Sequence, residues 1–232
     1  MRKTLIILGI LAIIIGGCKG QATKQYNNEI AIVQKQDTIQ QFDNLQSETE
    51  DDNTDTDCIR CPLIKDLDGD GIMDSVYMEN SRVTCCLSTQ NFKKTQNHEI
   101  EILNYMSYIS DVKNGFYFEN HWMRAGYKNQ FRYDSKAKRI QLIGMSRYEF
   151  GNVANDGSGE SSINLLTNDY IGDWSYFDEG KEELIKIPTI KTKMSFGKIY
   201  LEDFSEETYF GFAEKCAELY HIHKEKTQKK IR

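Results

Sequence analysis

The chain has 232 residues, with 35 acidic against 29 cationic side chains, a formal net charge of −6, and 11% aromatic residues. So acidic a chain lacks the basic face that nucleic acid demands, which excludes that class of partner. Its length suits one domain with a sizeable core, and no period of roughly 20 to 50 residues marks a solenoid or a tandem propeller.

The chain opens with Arg2 and Lys3, continues with an apolar run over residues 5–15, and reaches Gly16, Gly17 and Cys18. That run falls short of the roughly 20 apolar residues a helix needs to cross a bilayer, so residues 1–17 read as a signal peptide. Ile15-Gly16-Gly17-Cys18 resembles the lipobox of bacterial lipoproteins: a branched apolar residue, two small residues and a cysteine. The resemblance implies diacylation of the Cys18 thiol, cleavage before it, and a mature chain held to a membrane by acyl chains. Each buried CH₂ adds ~0.8 kcal/mol, so several chains on one residue give a stable anchor. Loss of residues 1–17 leaves 27 cations against 35 acids, a balance of −8. Lys19 stands where an aspartate is linked to inner-membrane retention, and Lys19-Gly20-Gln21-Ala22 lacks the acidic cluster of some surface-exported lipoproteins. The expected location is therefore the cell envelope, at the periplasmic face of the outer membrane.

Residues 18–57 are polar, and six of the ten residues at 48–57 are acidic. Low hydrophobicity with clustered like charge predicts a solvated linker, with a short amphipathic helix over 29–45 as an alternative. Residues 58–232 then predict a single, mainly β (α+β) domain: an antiparallel sheet or sandwich with a C-terminal amphipathic helix packed on it. Predicted strands are 75–79, 82–88, 99–103, 115–120, 129–134, 139–148, 161–166, 170–177, 183–187 and 197–201. Residues 134–138 and 152–160 supply turn chemistry between them. The period then changes. Tyr209, Phe212, Ala213, Cys216, Leu219, Tyr220 and His223 recur at helical spacing, which predicts a helix over 205–226 with Asp203 or Ser205 as its N-cap.

Asp66-Leu67-Asp68-Gly69-Asp70-Gly71-Ile72-Met73-Asp74 is the most informative stretch of the chain. Calcium takes six to eight oxygens, and acids at positions 1, 3, 5 and 9 with a carbonyl at 7 deliver them from one tight loop. The candidate ligands are Asp66, Asp68, Asp70, the Ile72 carbonyl and Asp74. An EF-hand requires a glutamate at position 12 and an exiting helix, whereas this chain has Tyr77 and a strand-like Ser75-Val76-Tyr77-Met78. The loop instead resembles the DxDGDGxxD calcium hairpins of FG-GAP and VCBS-type repeats, present here in a single copy. The resemblance implies a loop joining two strands, bidentate coordination by Asp74, and a structural ion with affinity on the order of 10⁻⁴–10⁻³ M.

Cys58-Ile59-Arg60-Cys61 raises redox and zinc chemistry. A thioredoxin-like pair needs the start of a helix, and Cys85-Cys86 on a strand point to opposite faces, which ill suits one zinc ion. An oxidising envelope favours a structural disulfide from Cys86 to Cys58 or Cys61, with Cys216 a buried thiol on the helix. His121 beside Trp122 is a candidate pocket residue. The aromatic run Phe116, Tyr117, Phe118, His121, Trp122, Tyr127, Phe131 and Tyr133 suits either a core or a surface for sugars or peptides. No nucleophile elbow, phosphate loop or HExxH motif occurs. The expectation is a non-catalytic envelope module, lipid-anchored and calcium-stabilised, with a protein or glycan partner. A carboxylate-dependent hydrolase and an immunity-type accessory lipoprotein are the alternatives.

Overall fold

The computed structural model describes residues 62–231. The chain divides into two units, Met1–Asp55 and Thr56–Arg232, and every described residue belongs to the second. The signal peptide, Cys18, the linker with its alternative helix over 29–45, and Cys58 and Cys61 lie outside the described residues. Among the described residues no helix is long and apolar enough to cross a membrane.

The fold is mainly β, built from two antiparallel sheets and one C-terminal helix. The small sheet holds β1 (Leu63–Lys65), β2 (Asp74–Glu79), β3 (Arg82–Cys86) and β4 (Lys94–Gln96), in that order. The large sheet runs from β5 (Ser107–Val112) through β6 (Gly115–His121), β7 (Ala125–Asp134), β8 (Arg139–Glu149), β9 (Gly159–Asn164) and β10 (Asp169–Asp178). β11 (Glu183–Lys186) and β12 (Ile190–Lys193) share the far edge of β10, pairing with its two halves in turn. Pro188 sits in the gap between them, where an edge strand tolerates a missing N–H. β13 (Ile199–Tyr200) lies beside β8 at Gln141 and Leu142. The register of β8 against β7 slips by one residue there, Gly144 facing Gln130 but Leu142 facing Phe131. Such a bulge lets one strand change neighbours: beyond it β8 pairs with β9.

Alternation along the long strands sends one set of side chains inward. Phe116 and Phe118 of β6, Tyr127 and Phe131 of β7, and Tyr170, Trp174 and Tyr176 of β10 are all buried in one core, together with Val76, Val83 and Cys85 of the small sheet. The aromatic run thus splits, with Phe116, Phe118, Tyr127 and Phe131 in the core while Tyr117 and His121 face outward on β6.

The helix, α1 (Glu206–Ile231), covers the inner face. Ser205 precedes it, and its N–H bonds back to the Thr208 hydroxyl at 3.4 Å, half of a capping box. Tyr209 stacks on Tyr127 at 4.0 Å between centroids, Phe212 meets Tyr170, Cys216 Sγ lies 3.4 Å from Ser161 Oγ, and Tyr220 meets Trp174. Each such burial contributes roughly 1.5–3 kcal/mol. The helix runs five residues past the expected end at 226, because Thr227 to Lys230 include neither glycine nor proline to stop it.

Residues 99–103 do not form the expected strand. Their alternation of apolar and polar residues instead marks a connection wedged between the sheets. Ile100 is buried and its N–H bonds to the Ser81 carbonyl, while the Ile102 N–H bonds to Glu206 at the start of α1. Residues 197–201 shorten to β13, and Leu201–Asp203 turn as a 3₁₀ helix.

Candidate functional site

Lys65 and Asp74 face one another across the β1–β2 hairpin, so residues 66–73 must reverse the chain. Gly69 and Gly71 do so at φ of 84° and 88°, the left-handed region that glycine adopts without strain. The aspartates then organise the turn through its backbone. Both Asp66 oxygens accept N–H groups, from Gly69 at 2.7 Å and Gly71 at 3.0 Å. Asp68 accepts the Asp70 N–H, and Asp70 the Ile72 N–H. Asp74 opens β2 and is 1% exposed, each oxygen taking one N–H at 2.7 Å, from Leu67 and from Ser88. Burial pushes its carboxyl up from the ordinary value and the Asp68 charge adds to the rise, while the Ser88 and Leu67 hydrogen bonds oppose it.

Asp66, Asp68 and Asp74 each offer an oxygen, and the three oxygens lie within 4.8 Å of one another. The Asp70 carboxylate is engaged by the Ser88 hydroxyl at 2.8 Å, and the Thr89 hydroxyl binds Asp68. Ser88 and Thr89 begin the short turn after β3, fourteen to twenty-one residues downstream of the acids they meet. Sequence reading missed them, because only the pairing of β2 with β3 brings that turn against the loop. Converging carboxylates repel one another unless a cation sits among them, and hard oxygen donors of this kind suit calcium.

Cys85, Cys86 and Cys216 are buried, and no disulfide joins them to one another. Cys86 Sγ is 3.9 Å from the Tyr77 hydroxyl. Burial raises the Cys85 and Cys216 thiols well away from reactivity.

A second assembly occupies the outer face of the large sheet. Register sets Glu119 of β6 opposite Lys128 of β7, and His121 opposite Gly126. Glu119 is 6% exposed. Lys128 Nζ lies 2.8 Å from it, and Ser110, Tyr108 and His121 Nε2 also bond to its carboxylate. Burial works against the charge, but the bonds from Lys128, Ser110 and His121 prevail and hold the carboxyl below its ordinary value. His121 Nδ1 lies 3.2 Å from the Tyr148 hydroxyl. The rings of Tyr108, His121, Tyr148 and Phe150 follow in file at 5.7, 5.8 and 5.6 Å. A Cβ on Gly126 would lie 2.5 Å from His121 Nδ1 and 2.7 Å from the Tyr148 ring, so the glycine is what lets the two rings meet above β7.

Beside this file lies a concavity of about 340 Å³, adjoined by another of about 540 Å³. Tyr148, Glu160 and Asp173 line both, the two acids facing one another across β9 and β10. Neither tryptophan lines either hollow: Trp174 is buried on the inner face, and Trp122 packs on Tyr127 and Tyr209. Comparison of the chain with family models, curated proteins and solved structures gives no match to any of the three.

Proposed function

We propose that the protein is a lipid-anchored lipoprotein of the cell envelope, whose folded part is a non-catalytic binding module stabilised by one calcium ion. The convergence of Asp66, Asp68 and Asp74 within 4.8 Å is the observation that carries the metal. Asp70 and the Ile72 carbonyl are the further ligands that the spacing of the motif predicts. Bound calcium draws β1, the start of β2 and the turn after β3 together, because Asp74 and Asp68 already bond to Ser88 and Thr89. The anchor rests on Ile15-Gly16-Gly17-Cys18. A carboxylate-dependent hydrolase is the second reading, favoured by the facing Glu160 and Asp173.

Calorimetric titration of calcium into chelator-stripped protein tests the metal. The expected result is one saturable site with Kd on the order of 10⁻⁴–10⁻³ M, abolished by Asp68→Ala. Absence of saturable heat at millimolar calcium overturns it. For the anchor, mass spectrometry of the membrane-bound protein should find an acylated Cys18, and Cys18→Ser should release the chain. Equal membrane retention of that variant overturns the anchor.

A further inference from the structure

We infer that the outer-face groove beside Tyr148 is a saccharide-binding site, taking an uncharged or amino-bearing oligosaccharide. The inference rests on the reading of the protein as a binding module and names the ligand class of that module.

Shape comes first. Two adjoining hollows share Tyr148, Glu160 and Asp173, so together they form an elongated trough rather than a single pit. A trough suits a chain of repeating units. Its wall is a file of three rings, His121, Tyr148 and Phe150, spaced 5.8 and 5.6 Å apart and ending in Phe150, which is 50% exposed. Sugar rings carry an apolar C–H face that packs on such rings and an equatorial edge of hydroxyls that needs donors and acceptors. The trough supplies those from Ser146 and Ser162 and from the Glu160 and Asp173 carboxylates. Asp173 is steadied by the Thr189 hydroxyl at 2.6 Å, so one acceptor is already oriented.

Rival ligands fit less well. An extended peptide is recognised by adding a strand to a sheet edge, but this trough lies on a face whose backbone groups are paired with neighbouring strands on both sides. An acidic polymer would meet Glu160 and Asp173 facing each other across β9 and β10, and the cations of the trough are already engaged, Lys128 with Glu119, Arg147 with Glu149 and Lys186 with Asp173 itself. The wall is also built in advance. Gly126 lets His121 and Tyr148 close together, and Glu119 fixes His121 from behind through its Nε2. A ligand therefore meets rings whose positions are set by the sheet.

The detergent-solubilised full chain, applied to an array of glucans, mannans, chitin oligomers and uronic-acid polymers, tests this. Neutral or amino-bearing glycans should be retained, and titration of the best of them should show Phe150→Ala and Tyr148→Ala weakening affinity roughly tenfold. Glu160→Gln should weaken it similarly. Phe150 and Glu160 are exposed, so those two variants keep the wild-type melting temperature and separate lost binding from lost folding. Retention of no glycan, retention of uronic-acid polymers alone, or unchanged affinity in Phe150→Ala and Glu160→Gln overturns the inference. Cleavage of a retained glycan supports the site and overturns the non-catalytic reading. Cys18 acylation and calcium binding report on the proposed function independently of either outcome.

Discussion

Asn129 points from β7 into the core, fully buried, with Phe118 and Met145 as its cross-strand neighbours. Neither its amide nitrogen nor its oxygen has a hydrogen-bond partner among the described residues. Asn97 differs, since its Oδ1 accepts the Val83 N–H at 2.6 Å. A buried polar group without a partner costs about 1–3 kcal/mol, whereas an apolar side chain of similar shape has no such cost. Asn129→Leu should therefore stabilise the protein by about 1–2 kcal/mol, read as a higher urea midpoint at unchanged slope. A lower midpoint would mean that the amide makes a bond this replacement breaks. At the same scale, the φ values of Gly69 and Gly71 explain why the aspartate loop needs glycine at those two positions.

Among the elements, the loop between β8 and β9 is held by one side chain from elsewhere, Arg124, and by one of its own, Asp156. The Arg124 guanidinium donates to the carbonyls of Phe150, Gly151 and Asn152 and to Asn155 Oδ1. Asp156 then ties the loop to two other elements, its Oδ1 accepting the Phe177 N–H at 2.9 Å, the Tyr220 hydroxyl at 3.1 Å and Lys224 Nζ at 2.9 Å. Burial opposes the charge, but the bonds from Lys224 and Phe177 hold the carboxyl below its ordinary value of 3.8. A carboxyl lowered on folding stabilises the folded state above its ordinary value, and that contribution is lost as pH falls through the lowered one. Asp156→Asn should cost roughly 1–2 kcal/mol at neutral pH, a partly screened charged contact. The gap to wild type in thermal melts should shrink on acidification below about pH 4. A gap that stays constant into acid would mean that packing, not charge, fixes α1 to the loop.

For the molecule as a whole, the two sheets share one core. Val76, Val83, Cys85 and Leu87 pack in the same cluster as Phe116, Phe131 and Phe204. Lys65 of β1 bonds to Asp111 of β5 at 2.6 Å, and the His98 N–H bonds to the Phe204 carbonyl, so polar links also cross between the layers. One core implies one cooperative transition. Calcium bound at the edge of the small sheet should then raise the melting temperature of the entire unit. At 100-fold excess over Kd the gain is about 2.7 kcal/mol, reversed by a chelator. A separate low-temperature transition that alone responds to calcium would show the small sheet melting independently.

Much of this architecture was legible in the chain. Alternation located most of the long strands, and the 3–4 spacing of Tyr209, Phe212, Cys216 and Tyr220 named the buried stripe of α1, because both periods are imposed by local backbone geometry. The aspartate loop was equally plain, since Asp66, Asp68 and Asp74 lie within nine residues of one another. Where locality ends, the sequence falls silent. Ile100 and Ile102 carry a strand's alternation yet serve as a wedge, since burial alone does not say whether a ladder partner exists. β5 and β12 are strands by virtue of the neighbours they pair with. Ser88 and Thr89 meet the aspartates only through β2–β3 pairing, and Tyr108, His121, Tyr148 and Phe150 line up only because β5, β6, β7 and β8 are consecutive in the sheet and Gly126 of β7 leaves room for the rings from β6 and β8 to meet above it. The sequence by itself determined the acid loop, the helix face and the mainly β character, each written in contiguous residues. Tertiary structure decided the trough and the cap on the loop, because register between distant strands sets which side chains share a face.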